Sequence, residues 1–300
     1  LVIKGVKNLR AYLKENKKVF VKVSRWRGST ESFYSPDYKG IEPHLDEMEF
    51  NLGPVKDLME FDVEQELPDR CEVGSDAYCI DGKLPSIHLA GFEVKDAGYA
   101  GSILQRKKLP DPMRLVDDAM AKVMKSYGYR GFYSTEIRVG KDGVPFLIDP
   151  TMRTPNPPGF LYSEMYSNFS EIVWRGANGI LVDPKPLGKF GVQLQMKSSW
   201  SDSGHWQPID FDMKFRQQIK IANACKIGDQ FYSVPLPLGI AECGSVVGWG
   251  DTMKEAVEHA KKAADTVGGY SIKINEDALD EAVNVAKEAK EEHGIDLGIE

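Results

Sequence analysis

Apolar and polar positions alternate along the chain in two rhythms, one of strands and one of amphipathic helices. In Val6 to Asn16, Leu9, Tyr12 and Leu13 share one stripe at helical spacing, and Val19-Phe-Val-Lys-Val23 alternates with period two, so a helix followed by a strand is predicted. The polar run from Arg25 to Ser35 predicts a loop that moves over a ligand. From Met59 to Leu84 the pattern gives two strands separated by a Pro68-Asp69 turn, the second closing at Asp81-Gly82. Asp111-Pro112 opens a helix on which Leu115, Ala119, Met120, Val123 and Met124 form the apolar stripe up to Gly128. Phe132 to Pro150 reads as a hairpin, the proline-dense stretch to Pro158 as irregular backbone, and Phe169 to Asn178 as a helix. Strands with proline-rich turns are expected from Gly191 to Gly250. Two alanine-faced helices close the chain: Thr252 to Val267, capped by Asp251, and Asp277 to His293, stopped by Gly294. Such faces pack against a sheet, and Trp174, Trp200, Trp206 and Trp249 are expected in the core.

Composition narrows the classes. At 300 residues the chain has room for about two domains of roughly 150 residues each. Hydrophobic content of 42% and charged content of 28% exclude disorder and disulfide scaffolds. The net charge of -7 argues against wrapping nucleic acid, although a local basic pocket for a small anion stays open. No apolar run reaches the length of about 18 residues that a membrane span needs. No leader pattern opens the chain, which reads as soluble and cytoplasmic with no membrane partner. Cys71, Cys79, Cys225 and Cys243 form no metal-binding pair and read as reduced thiols. The five histidines form no constellation.

The most informative segment runs from Gly131 to Arg153. Asp142-Gly143 between two alternating runs is a strong hairpin signal, and a two-residue turn there sets Glu136 across from Asp149, Ser134 across from Thr151 and Arg138 across from Leu147. Glu136, Asp149, Thr151 and Arg153 then share one face. A three-residue turn would shift the register by one and put Asp149 on the other face. Two carboxylates directly opposed repel unless a cation bridges them or one is protonated. Mg²⁺ answers this economically, because it takes one or two protein carboxylates and completes its octahedron with water and phosphate oxygens. The competing reading is a solvated face whose acids pair with Arg138 and Arg153.

At this point the residues resemble the ATP-grasp superfamily, whose enzymes join a carboxylate to an amine through an acyl-phosphate. The resemblance covers residues from about 15 to 160 and implies a fold of the α+β class in which two lobes grip a nucleotide. It implies ATP and Mg²⁺, with Mn²⁺ as a substitute, and small-molecule carboxylate and amine substrates. Lys22 in VFVKVSRWRGS matches the phosphate-contacting lysine, with Arg27 to Ser32 as the lid. Glu64, Gln65 and Glu66 in VEQELPDRCEVGSDAYCIDGK fall at the adenine hinge, and Glu72 where a ribose-binding Glu is expected. Glu136 and Asp149 match the metal pair, joined by Thr151, and Arg153 follows as the anion-holding and catalytic arginine beside Lys22.

The nearest type is similar to phosphoribosylamine-glycine ligase. Ile87 to Leu104 stands in the place of its substrate loop, where Lys95 and Arg106 would meet the acceptor, and Cys243 to Val267 resembles its closing lobe. An ATP-grasp domain over 1–185 and a C-terminal lobe over 186–300 are therefore expected. Three departures stand out: Asp149 replaces the usual Glu, Thr151 replaces the usual Asn, and the substrate loop lacks the glycine-rich signature. About twenty residues precede Lys22, so the resemblance also implies a preceding domain or a second chain that completes the site. Against these roles stand plainer ones, with Lys22 lying along a sheet edge and Glu64, Glu66 and Glu72 on a solvated strand face. A nucleotide-binding or structural module without turnover is the alternative function.

Overall fold

The computed structural model describes residues 1–24, 32–235 and 241–300. Its internal contacts divide the chain into two compact units, Leu1–Pro68 and Asp69–Glu300.

The first unit contains β1 (Val2–Lys4), α1 (Val6–Glu15), β2 (Val19–Val23), β3 (Ser32–Ser35), α2 (Tyr38–Leu52) and β4 (Glu60–Gln65). The strands form an antiparallel sheet in the order β1-β4-β2-β3. Val19, Val21 and Val23 of β2 and Phe61 and Val63 of β4 turn to one side, where Leu9 and Leu13 of α1 and Leu45 and Met48 of α2 complete a buried core. The predicted helix and strand fall where the pattern put them. Of the expected mobile loop, the end from Ser32 is a strand, and residues 25–31, most of the expected lid, lie outside the described residues.

The second unit begins with β5 (Arg70–Ile80), β6 (Ile87–Val94), β7 (Gly98–Gln105), α3 (Asp111–Ser126), β8 (Arg130–Gly140) and β9 (Pro145–Thr151). There follow α4 (Gly159–Met165), α5 (Phe169–Ala177), β10 (Phe190–Ser198), α6 (Ser199–Asp202), β11 (Gln207–Ile209) and β12 (Ile219–Ile221). The chain ends with β13 (Ala224–Ile227), β14 (Gln230–Ser233), β15 (Glu242–Gly250), α7 (Met253–Ala264), β16 (Ile272–Ile274) and α8 (Asp277–His293). One large sheet runs β12-β15-β10-β7-β6-β5-β8-β9, with β16 also on β10, and a small sheet runs β11-β14-β13.

One face of the large sheet is buried under α3, α7 and α8, whose Ala256, Ala260, Ala282 and Ala286 are the alanines the sequence assigned to packing. Alanine lets these helices come close. At Gly248 of β15 a Cβ would stand 2.7 Å from the backbone nitrogen of Ala260, so only glycine fits beneath α7. The opposite face carries Leu161, Tyr162 and Met165 of α4 and Ile172 of α5 at one end. The candidate site occupies the other end of that face.

Several expectations are corrected. Residues 87–104 form no substrate loop but the hairpin β6-β7 in the middle of the sheet. The contact division falls after Pro68, and β10 hydrogen-bonds along β7, so a single sheet runs across residue 185. On α3 the buried stripe is Met113, Val116, Asp117, Met120 and Met124, while Leu115 and Val123 face out. The cap of α7 is Thr252, which closes a reciprocal box with Glu255, and not Asp251. Trp174, Trp200 and Trp206 are exposed rather than in the core. All four cysteines are free thiols. Among the described residues no helix is long and apolar enough to cross a membrane.

Candidate functional site

The hairpin β8-β9 places the paired acids. Ser134 stands across from Thr151 and Glu136 across from Asp149, as the two-residue turn required. The route there is different. Near the turn Arg138 faces Phe146 and Val139 faces Pro145, which is the register of a three-residue loop, Lys141-Asp142-Gly143, with Gly143 in the left-handed region at φ 69°. That loop alone would put Asp149 on the wrong face. The register shifts once more between Glu136 and Ile137, where β9 carries one extra residue at Ile148, and this bulge restores the opposition of the two carboxylates. Arg138 therefore does not face Leu147.

Glu136 and Asp149 open into a cavity of about 180 Å³ that also meets Thr151 and Arg153. Period-two alternation on β5 brings Glu72 and Asp76 to the same cavity, β6 adds Glu93, and β7 adds Tyr99. Between these acids the floor is glycine: Gly74 pairs with Gly91, and Gly91 with Gly101. The Tyr99 ring lies across that floor. A Cβ on Gly91 or on Gly101 would stand 2.6 Å from the Tyr99 hydroxyl oxygen, so the two glycines make its position possible. From there Tyr99 Oη donates to Asp76 Oδ2 at 2.9 Å.

The cavity holds more negative than positive charge, and its acids register this. Asp76 is only 2% exposed. Burial first, and then the neighbouring charges of Glu136 and Asp117, push its carboxyl up to about 7 against the hydrogen bonds from Ser134 and Tyr99. Glu93 is pushed up to about 8, by lost hydration and then by Glu136, Asp76 and Glu72. Its side chain still reaches water. Arg138 Nε donates to Glu72 Oε2 at 2.9 Å, and Arg153 donates to the Thr154 carbonyl at 3.1 Å. Among the described residues neither arginine's hydrogen bond goes to Asp149.

The oxygen donors suit Mg²⁺. Glu136 and Asp149 offer hard carboxylates from adjacent strands, with the Thr151 hydroxyl one pleat away. Among the described residues no group of three His, Cys, Asp or Glu side chains is placed to hold a metal ion, and two carboxylates match the one or two protein ligands that Mg²⁺ usually takes.

The remaining predicted residues sort as follows. In the first unit Lys22 Nζ lies 3.0 Å from Glu64 Oε1, on the sheet face opposite the core. Glu66 shares that face and accepts a hydrogen bond from Tyr34 at 2.6 Å, and the rings of Phe20 and Tyr34 meet beside it at a tilt of 42° with centroids 5.0 Å apart. Gln65 stands across from Val19 and belongs to the other face. In the second unit Lys95 is exposed in the turn between β6 and β7, and Arg106 pairs with Asp118 of α3, so neither borders the cavity. Asp76, Glu93, Tyr99 and Asn156 border it without having been singled out in the sequence; the only trace was the spacing Glu72-x-Gly-x-Asp76.

No protein-family model matches the chain, and no curated protein matches its sequence. Solved structures do. Phosphoribosylamine-glycine ligase from Thermotoga maritima superposes with a TM-score of 0.72 at 15% identity, covering 92% of this chain and 73% of that one. The biotin carboxylase domain of 2-oxoglutarate carboxylase from Hydrogenobacter thermophilus, determined with MgADP, ADP and bicarbonate, gives 0.63 at 13% identity over 95% and 69% of the two chains. These neighbours are ATP-grasp proteins. The chain has the ATP-grasp fold. L-amino acid ligase from Bacillus licheniformis, at a TM-score of 0.56 and 16% identity over 92% and 68%, shares the ATP-grasp architecture. At such identities the likeness is one of fold.

Proposed function

We propose that this chain is an ATP-dependent ligase that activates a carboxylate as an acyl-phosphate for attack by an amine, in the manner of phosphoribosylamine-glycine ligase. The observation that carries the proposal is the direct opposition of Glu136 and Asp149, held by a bulge beside Thr151 and Arg153 in an acidic cavity. Such a pair is costly without a cation and suits Mg²⁺, or Mn²⁺ in its place. When bound, the metal spreads the charge of the transferring phosphoryl group.

The chain's own residues do the rest. Glu136 and Asp149 would hold the metal, and Lys22 neutralises phosphate charge as a point cation. Glu64 and Glu66 address the nucleoside, and Glu72 its ribose. Arg153, whose fork is free of carboxylate partners among the described residues, holds the substrate carboxylate as it attacks the γ-phosphorus and ADP leaves. The amine then attacks the acyl carbon and phosphate departs, so no protein nucleophile is needed. A further domain or a second chain that completes the site remains part of the proposal.

The test is dependence on both substrates. Amino acids and amino sugars, screened in pairs with Mg-ATP, should release ADP and phosphate only when a carboxylate and an amine are present together. Tight nucleotide binding with no ADP from any pair would favour the alternative, a nucleotide-binding module without turnover, to which the replacements Asp149 and Thr151 lend some weight.

A further inference from the structure

Asn156 borders two cavities. One is the acidic cavity of the proposed phosphoryl transfer, and the other, of about 210 Å³, is walled by Phe160 of α4 together with Ala222, Val234 and Pro235. The polar groups of the second cavity are Asn156, Asn223 and Glu242. Glu242 is the charged residue among its described lining.

A directed chain of hydrogen bonds sets the chemistry there. The Leu161 backbone N–H, which donates to the Pro158 carbonyl at 2.9 Å, also reaches Gln193 Oε1 at 3.3 Å, and since a backbone N–H can only donate, this shared bond orients the Gln193 amide. Its Nε2 then donates to Asn156 Oδ1 at 2.7 Å and to Ser245 Oγ at 3.1 Å. The Asn156 amide is fixed in turn, and its Nδ2 donates to Glu242 Oε1 at 2.6 Å. The chain ends on an acceptor. Lys197 stands across from Glu242 in the β10-β15 register and its charge acts on the Glu242 carboxylate in part, while its ammonium lies 3.9 Å from Asp96.

From this juxtaposition we propose that the second cavity holds the amino group of the acceptor, as a small primary ammonium with a short apolar substituent and Glu242 as its counter-charge. The proposal rests on the ligase reading above and names its amine. The walls fit the substituent, the absence of Lys and Arg from the described lining disfavours an anionic group at that end, and Asn156 joins the cavity to the site of phosphoryl transfer. Burial raises the Glu242 carboxyl above its ordinary pKa, so an ammonium beside it restores the charge that burial opposes.

The experiment titrates the full chain with n-propylammonium and, separately, with n-propanol, which has the same size and no charge. The wild-type chain should bind the ammonium at least tenfold more tightly than the alcohol. Glu242→Gln, which keeps an acceptor for Asn156, should abolish that preference, and Ala222→Leu, which fills the cavity without changing charge, should weaken both probes. Equal affinities in the wild type, no ammonium binding, or a preference that survives Glu242→Gln would overturn the proposal. If Glu242→Gln does not fold, the wild-type comparison and Ala222→Leu still decide it. A parallel Mg-ATP titration separates the two readings. Failure to bind Mg-ATP overturns the ligase reading, whereas Mg-ATP binding without an amine preference overturns the cavity assignment alone.

Discussion

Asp76 is a residue whose environment departs from what its sequence neighbours suggest. It is a carboxyl on a strand, buried to 2% exposure, between Ser134, Tyr99 and the charge of Glu136. Its folded pKa of about 7 lies above the value of about 3.9 that an unfolded Asp would have, so the folded chain binds more protons than the unfolded chain between these limits. The contribution to stability is therefore complete below about pH 4 and is lost as pH rises toward 7. Glu93, raised to about 8, extends the loss upward. Melting temperatures measured from pH 4.5 to 8 should fall across the series, and Asp76→Asn should flatten most of that fall. An unchanged slope in the variant would place the titration elsewhere. The sequence concealed Asp76 because a lone acid in an alternating strand reads as solvent-facing; what buries it is Tyr99, brought over two glycines from two strands away. Glu136 and Asp149, by contrast, were legible, since a hairpin signal and parity are enough to pair them.

At the scale of elements, the bulge in β9 decides which side of the sheet Asp149 occupies. The sequence expectation reached the correct pair by assuming a two-residue turn, whereas the chain uses a three-residue turn and one compensating extra residue. Parity is conserved by the sum of the two. Deleting Ile148 should therefore leave Asp149 opposite Glu136, and Mg-ATP affinity should stay within a few-fold of wild type. Inserting one alanine after Ile148 should turn Asp149 to the far face and abolish metal-dependent binding. The opposite ranking of these two variants in a titration would refute the assigned register. The glycine floor makes a second element-scale prediction: a Cβ in Gly91→Ala would stand 2.4 Å from the Ala100 carbonyl oxygen and 2.6 Å from the Tyr99 hydroxyl, so both β7 and the ring must shift, and the variant should lose about 1–3 kcal/mol in a denaturant melt, the usual penalty of overpacking. Helix α2 escaped the sequence reading because Gly40 and Pro43 interrupt its pattern; burial of Ile41, Leu45 and Met48 against the sheet overrides those local preferences. Strands β6 and β7 escaped it because their small residues, Gly91, Gly98 and Gly101, look like a loop until a helix and an aromatic ring are laid against them.

For the whole molecule, the order of motifs carried more than any one of them. Lys22, Glu64 and Glu66 gather on one sheet face of the first unit, and Glu72, Glu136, Asp149, Thr151 and Arg153 gather around one cavity of the second. Gln65, Lys95 and Arg106 do not join their groups, because one residue of strand parity, one turn and one ion pair send them elsewhere. Saturating Mg-ATP should raise the melting temperature of the full chain by mass action, and Lys22→Met should reduce the shift. The most direct test of the central claim is a calorimetric titration of Mg-ATP into the wild-type chain, Glu136→Gln and Asp149→Asn, with metal-free melts of each. Each substitution should weaken Mg-ATP binding by about 1–3 kcal/mol, as expected when a charge-assisted contact is lost, while metal-free stability stays equal or rises as the repulsion is relieved. Unchanged Mg-ATP affinity in both variants would contradict the account and return the two carboxylates to the scaffold.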